Sequence, residues 1–95
     1  MAEDLPKFKL LVINPDRVVF QGEVHSLFLP GDTGEFELLP YHYPVMSLLR
    51  DGDIVLDWES AIPIRHGIAK FFRNECIILA EIDEFAFIDI PGFNI

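Results

Sequence analysis

The sequence predicts an all-β fold, a sandwich or a barrel of short strands. Three observations carry that reading. Short apolar stretches alternate with turn residues along the whole chain. β-Branched and aromatic residues fill those stretches, nine of them Phe. Nowhere does an i, i+3, i+4 apolar pattern persist long enough for an amphipathic helix.

Each element follows from local chemistry. Residues 8–13 are strand-like, and Asn14-Pro15-Asp16 turns the chain, since Pro presets the turn dihedral and Asn and Asp bond the local backbone. Val18 to Phe20 extends as far as Gly22. Residues 23–29 alternate, with Val24, Ser26 and Phe28 expected on one face and His25, Leu27 and Leu29 on the other. Pro30-Gly31 and Asp32-Thr33-Gly34 are turn chemistry. Residues 35–39 form a short strand with Phe36 and Leu38 inward and Glu35 and Glu37 outward. Pro40 and Pro44 then bracket a rigid loop holding Tyr41, His42 and Tyr43. A strand over 45–49 leads to a hairpin-type turn at Arg50-Asp51-Gly52-Asp53. Two strands follow, 54–58 and 61–65, the second expected at a sheet edge because Pro63 lacks an N–H. His66-Gly67 reads as a turn, 68–72 as a strand, Arg73-Asn74-Glu75 as another turn and 76–80 as an apolar strand. The segment from Glu81 to Ile95 reads as strand or extended tail. Leu10, Val12, Val24, Phe28, Phe36 and Leu38 are the expected core, with partial burial of Trp58.

A chain of 95 residues argues for a single domain over 1–95, with a core over about 7–83 and an extension over 84–95. The net charge of −9 disfavours nucleic acid and anionic membrane surfaces, both of which need basic patches. No apolar run is long enough to span a bilayer, so direct membrane insertion is not expected. The acidic start Met1-Ala2-Glu3-Asp4 does not read as a signal peptide. The chain reads as soluble and intracellular. Cys76 is the one cysteine, which excludes an internal disulfide; its apolar strand implies a buried, unreactive thiol.

Chemistry-bearing patterns are few. The histidines at 25, 42 and 66 and Cys76 lack the paired spacings of a zinc site. No serine sits in a nucleophile context, and Pro30 to Gly34 lacks the lysine and length of a phosphate loop. No catalytic residue, cofactor or metal is assigned. Glu35 and Glu37 share a strand face, which suits either a solvated surface or an acid–base pair. Tyr41 and Tyr43 suit interface anchoring or, alternatively, a stand-alone β module that stacks a small ligand such as a sugar.

The ordered set Phe20-x-Gly22, Pro30-Gly31-x-x-Gly34-Glu35-Phe36, Pro40-x-His42-x-Pro44, Leu49-x-x-Gly52-x-Ile54 and Ile78-Leu79-Ala80-Glu81 resembles the epsilon subunit of the F-type ATP synthase over about residues 7–83. Glu37, Tyr41, Tyr43 and His66 depart from the family's usual residues. The resemblance implies a β-sandwich of two antiparallel sheets, about ten short strands in all, that is a rotor part and not an enzyme on its own. It implies docking on the gamma subunit and on the polar loops of the membrane c-ring, with Asn14, Glu35, Pro40, Tyr41, His42 and Tyr43 at the interfaces. It places such a subunit peripherally, at the cytoplasmic face of a bacterial plasma membrane. Family members commonly continue into a helical hairpin that regulates hydrolysis; this chain stops where that hairpin would begin, so that role is not expected here.

Overall fold

The structure is a computed structural model and describes residues 5–84. Its strands are β1 (Phe8–Ile13), β2 (Val18–Val24), β3 (Leu27–Gly31), β4 (Gly34–Leu38), β5 (Val45–Leu49), β6 (Gly52–Leu56), β7 (Ser60–Phe72) and β8 (Glu75–Ile82). Their hydrogen-bonded order is β2-β1-β8-β7-β5-β3-β4, with β6 joining β3 and β7. The ladder is continuous, and β7 makes it fold over. The first part of β7 pairs with β6 and its second part with β5. A register shift between Ile64 and His66 marks the bend between them. One layer is therefore β2-β1-β8-β7-β5, the other β7-β6-β3-β4, and β7 belongs to both.

The alternation of β8 is regular: Cys76, Ile78, Ala80 and Ile82 are buried, and the residues between them are exposed. Leu27, Leu29, Leu38, Ile54 and Ile78 are wholly buried at the centre of the core. Each such side chain contributes on the order of 1.5–3 kcal/mol relative to exposure. Phe8 and Phe71 meet edge-to-face at 5.2 Å between ring centroids.

Several expectations are corrected. The described residues hold eight strands, close to the expected ten, but the segments expected at 61–65 and 68–72 are one strand: His66 and Gly67 pair with Glu81 and Ala80 rather than turning, and the register shift falls at Arg65 just before them. The β1–β8 pairing is parallel within an otherwise antiparallel set. The Asp51-Gly52 turn does not close a hairpin: β5 and β6 do not pair, and the chain crosses there between layers. Phe28 is half-buried on the outer side, while Leu27 and Leu29 face the core. The parity changes at His25 and Ser26, where the chain leaves the ladder. The Asp57 carboxylate accepts from both of their N–H groups, at 2.6 and 3.1 Å, and fixes this break. Pro63 is buried on a strand with neighbours on both sides. It is tolerated because it lies just beyond the end of β8, where its carbonyl accepts from Asp83 N–H at 2.9 Å. Trp58 lies outside the core and is 59% exposed on the β6–β7 turn, with φ 64°. The expectations at 1–4 and 85–95 lie outside the described residues.

Candidate partner interfaces

The ladder registers divide the turns between two opposite ends. Lys9 pairs with Glu75, Leu27 with Leu38 and Leu56, and Val45 with Phe71. The first end therefore gathers the starts of β1 and β5 with the turns at 39–44, 57–59 and 73–74. Ile13 pairs with Leu79, and Gly31 with Gly34 and Leu49. The second end therefore gathers the turns at 14–17, 32–33 and 50–51 with the end of β8. The six candidate residues split accordingly. Pro40, Tyr41, His42 and Tyr43 occupy the first end; Asn14 and Glu35 occupy the second.

At the first end, His42 N–H donates to the Leu39 carbonyl at 3.2 Å and closes a turn with Pro40 and Tyr41 at its centre. Tyr41 has φ 66°, a left-handed conformation that this turn position normally assigns to Gly or Asn. The ring of Tyr41 is 74% exposed. The chain thus carries conformational strain to present an aromatic side chain to solvent. Asn74 holds the turn in place. Its Oδ1 accepts from Tyr41 N–H at 2.7 Å and its Nδ2 donates to the Lys7 carbonyl at 2.9 Å. Asn74 itself has φ 61°, on the tight β7–β8 turn. His42 Nδ1 lies 2.6 Å from the Tyr43 carbonyl, which can only accept, so Nδ1 carries the proton. The His42 ring stacks on Tyr43 at 4.6 Å and meets Phe71 edge-on at 5.9 Å. His42 is thus half-buried and fixed, while Tyr43 stands 74% exposed beside it.

At the second end, Asn14 is a structural clamp. Its Oδ1 accepts from Asp16 and Arg17 N–H at 2.7 and 2.8 Å, as its sequence context predicts. An open groove of about 920 Å³ runs between Asn14, Asp32, Leu48, His66, Glu81 and Glu84. Glu35 is exposed on β4 opposite Pro30, just after the tight turn. Glu37 shares its strand face but is half-buried, and Ser26 Oγ donates to it at 2.5 Å. Glu37 is therefore a structural acceptor, which leaves no pair of free carboxylates for acid–base work. Among the described residues no group of three or more His, Cys, Asp or Glu is placed to hold a metal ion. No helix there is long and apolar enough to cross a membrane. Cys76 is buried, and desolvation pushes its thiol up to about 12.

Sequence reasoning missed the role of Asn74. Its place in a short turn was visible; its bonds to residues 33 and 67 positions away were not.

The candidate side chains thus sit on or beside turns at the two ends of a β-sandwich, with Tyr41, Tyr43 and Glu35 exposed. Comparison with known proteins gives the family. Residues 7–86 match the family profile described as ATP synthase, Delta/Epsilon chain, beta-sandwich domain, so the chain belongs to that family. It is accordingly built as a non-catalytic ATP synthase subunit of the epsilon type. It is 35% identical to the ATP synthase epsilon chain of a Nitratiruptor species over 77% of its own length and 60% of that chain. It is 32% identical to the epsilon chain of Chlorobium limicola over 85% of its length and 97% of that chain. It thus spans about three fifths of one relative and nearly all of the other. In fold it is similar to a chain in the central stalk and c-ring structure of the Tetrahymena thermophila mitochondrial ATP synthase. The TM-score is 0.71 at 10% identity, covering 95% of this chain and 75% of that one.

Proposed function

We propose that this chain is a rotor subunit of an F-type ATP synthase, joining the gamma subunit to the membrane c-ring at the cytoplasmic face of a bacterial plasma membrane. The single observation that supports this most is the division of the candidate residues between opposite ends of one rigid block. The Asn14 and Glu35 end seats on the polar loops of the ring. The Tyr41-His42-Tyr43 end turns toward gamma. Torque passes through the sandwich, which makes and breaks no bond.

Cys76 is the one native cysteine and is buried, so a single engineered cysteine can carry a photo-crosslinker cleanly. In the assembled complex, Glu35→Cys is expected to crosslink to a c subunit and Tyr43→Cys to gamma. Crosslinking of both positions to one partner, or to neither, would defeat the two-ended arrangement. Truncating His42 and Tyr43 together is expected to weaken rotor assembly; an intact, coupled complex from that variant would count against the role.

A further inference from the structure

A histidine can offer a partner either of two ring nitrogens, and the fold has committed one of His42's. Nδ1 lies 2.6 Å from the Tyr43 carbonyl and carries the ring's proton there. The neutral ring is left with a lone pair on Nε2, which can only accept a hydrogen bond. Packing holds the ring in this orientation, stacked on Tyr43 at 4.6 Å and edge-on to Phe71 at 5.9 Å. Nothing among the described residues bonds Nε2, and no side-chain nitrogen or oxygen there is both buried and unsatisfied. Nε2 is therefore open to water, at the end where Tyr41 and Tyr43 stand exposed.

The titratable neighbours lie on three segments. Tyr41 and Tyr43 are on the same turn. Lys70 and Arg73 flank Phe71 and Phe72 on β7 and its turn, at 6.0 and 5.2 Å from the Phe72 ring centroid. Across the end lie Lys7, tied to Tyr41 through Asn74, and the Lys9–Glu75 pair. Of the carboxylates at this end, Glu75 pairs with Lys9, Glu37 accepts from Ser26 and Asp57 accepts from His25 and Ser26 N–H. None of these, nor Glu23 or Glu59, pairs with His42. A partner that covers this end takes Nε2 out of water, and a buried acceptor needs a donor.

We infer that His42 determines docking specificity through hydrogen-bond polarity: the partner at this end sets an N–H or O–H donor against Nε2, and docking holds while the ring is neutral. The inference rests on the rotor role proposed above and names the chemistry of one of its contacts. Histidine takes up its second proton between about pH 8 and pH 5. That proton turns Nε2 from acceptor to donor, so donor faces donor and the complex loosens in acid. A partner carboxylate at this spot would need the charged ring and would give the opposite sign.

The test is calorimetric titration of the whole chain with its cognate gamma subunit at about pH 7.5 and about pH 5.5. The wild type is expected to bind about 10-fold or more weakly at the lower pH, the range for an acceptor lost opposite a buried donor. His42→Gln sets an amide near the place of Nε2 and does not titrate, so it is expected to bind near the wild type at the higher pH and to lack the acid loss. His42→Asn reaches only as far as Nδ1 and is expected to bind weakly at both. Titration of gamma itself is common to wild type and His42→Gln and cancels between them. Nitrogen NMR of the free chain is expected to find the imidazole proton on Nδ1. A proton on Nε2 instead overturns the inference. So does the same pH dependence for wild type and His42→Gln, or a wild type that tightens in acid relative to it; both leave the rotor role standing. No binding of the wild type to folded gamma at the higher pH overturns both.

Discussion

Replacing Tyr41 by Gly is expected to make the protein more stable and a poorer docking subunit. The residue sits at φ 66° in the Pro40–Tyr41 turn with its ring 74% exposed, so its side chain gives the fold little packing. Holding a residue with a Cβ in the left-handed region costs roughly 1–2 kcal/mol. Glycine removes that cost but makes the unfolded chain freer, which returns about 0.4–1 kcal/mol. The net gain is on the order of 0.5–1 kcal/mol. For a domain of this size each kcal/mol moves Tm by about 4–8 °C, so a rise of about 2–8 °C is expected. Tyr41→Ala keeps the strain and is expected to melt near the wild type. Both variants lose the aromatic ring and are expected to bind gamma less tightly, which sets stability and docking against each other. Thermal unfolding followed by circular dichroism, beside the gamma titration, reads both quantities. Equal melting of the Gly and Ala variants, or a lower Tm for Gly, would refute the claim that strain at Tyr41 is what the fold tolerates for the sake of the exposed ring.

Other outcomes follow from the same structure. Asn74→Ala removes two hydrogen bonds while keeping a left-handed residue, and is expected to cost about 1–3 kcal/mol and to accelerate amide exchange across 40–43, read by mass spectrometry. A Cβ at Gly67 would lie 2.5 Å from the Leu79 carbonyl and 2.8 Å from Ala80 Cβ, so Gly67→Val is expected to prevent folding, seen as loss of a cooperative melt. The folded chain keeps the Cys76 proton to about 12, against 9.0 for an unperturbed thiol. This contribution to stability is therefore whole below about pH 9 and declines by about 1.4 kcal/mol per pH unit above it, until the folded thiol itself ionises. Denaturant midpoints for wild type and Cys76→Ala should differ in slope over that range, and iodoacetamide should not label the folded wild type at about pH 8, where the buried thiol stays protonated.

Residue chemistry made most strands legible in advance. The strand character of β8, the burial of Cys76 and the Asn14 turn are local, and local rules read them correctly. What escaped was set at a distance. The facing of β3 was misjudged because the break at His25 and Ser26 is held by Asp57, more than thirty residues away. Trp58 is large and apolar, so residue type suggested partial burial; the left-handed turn it occupies carries it outward. Pro63 suggested an edge because propensity sees a missing donor, not which neighbour that donor would have faced. Of the candidate interfaces, the residues themselves were visible, but their separation onto two ends follows from pairing.

The parallel contact between β1 and β8 also bears on how the molecule is made. Among the described residues the first strand, β1, lies beside the last, β8, so the central layer cannot close until residues 75–82 have left the ribosome. Until then β1 and β2 have a hairpin but no lasting neighbour, and much of the apolar surface that later becomes core is uncovered. Such a nascent chain depends on chaperones or on rapid completion to avoid aggregating. The sheet face that β8 shares with β7 and β5 forms only once β8 has paired.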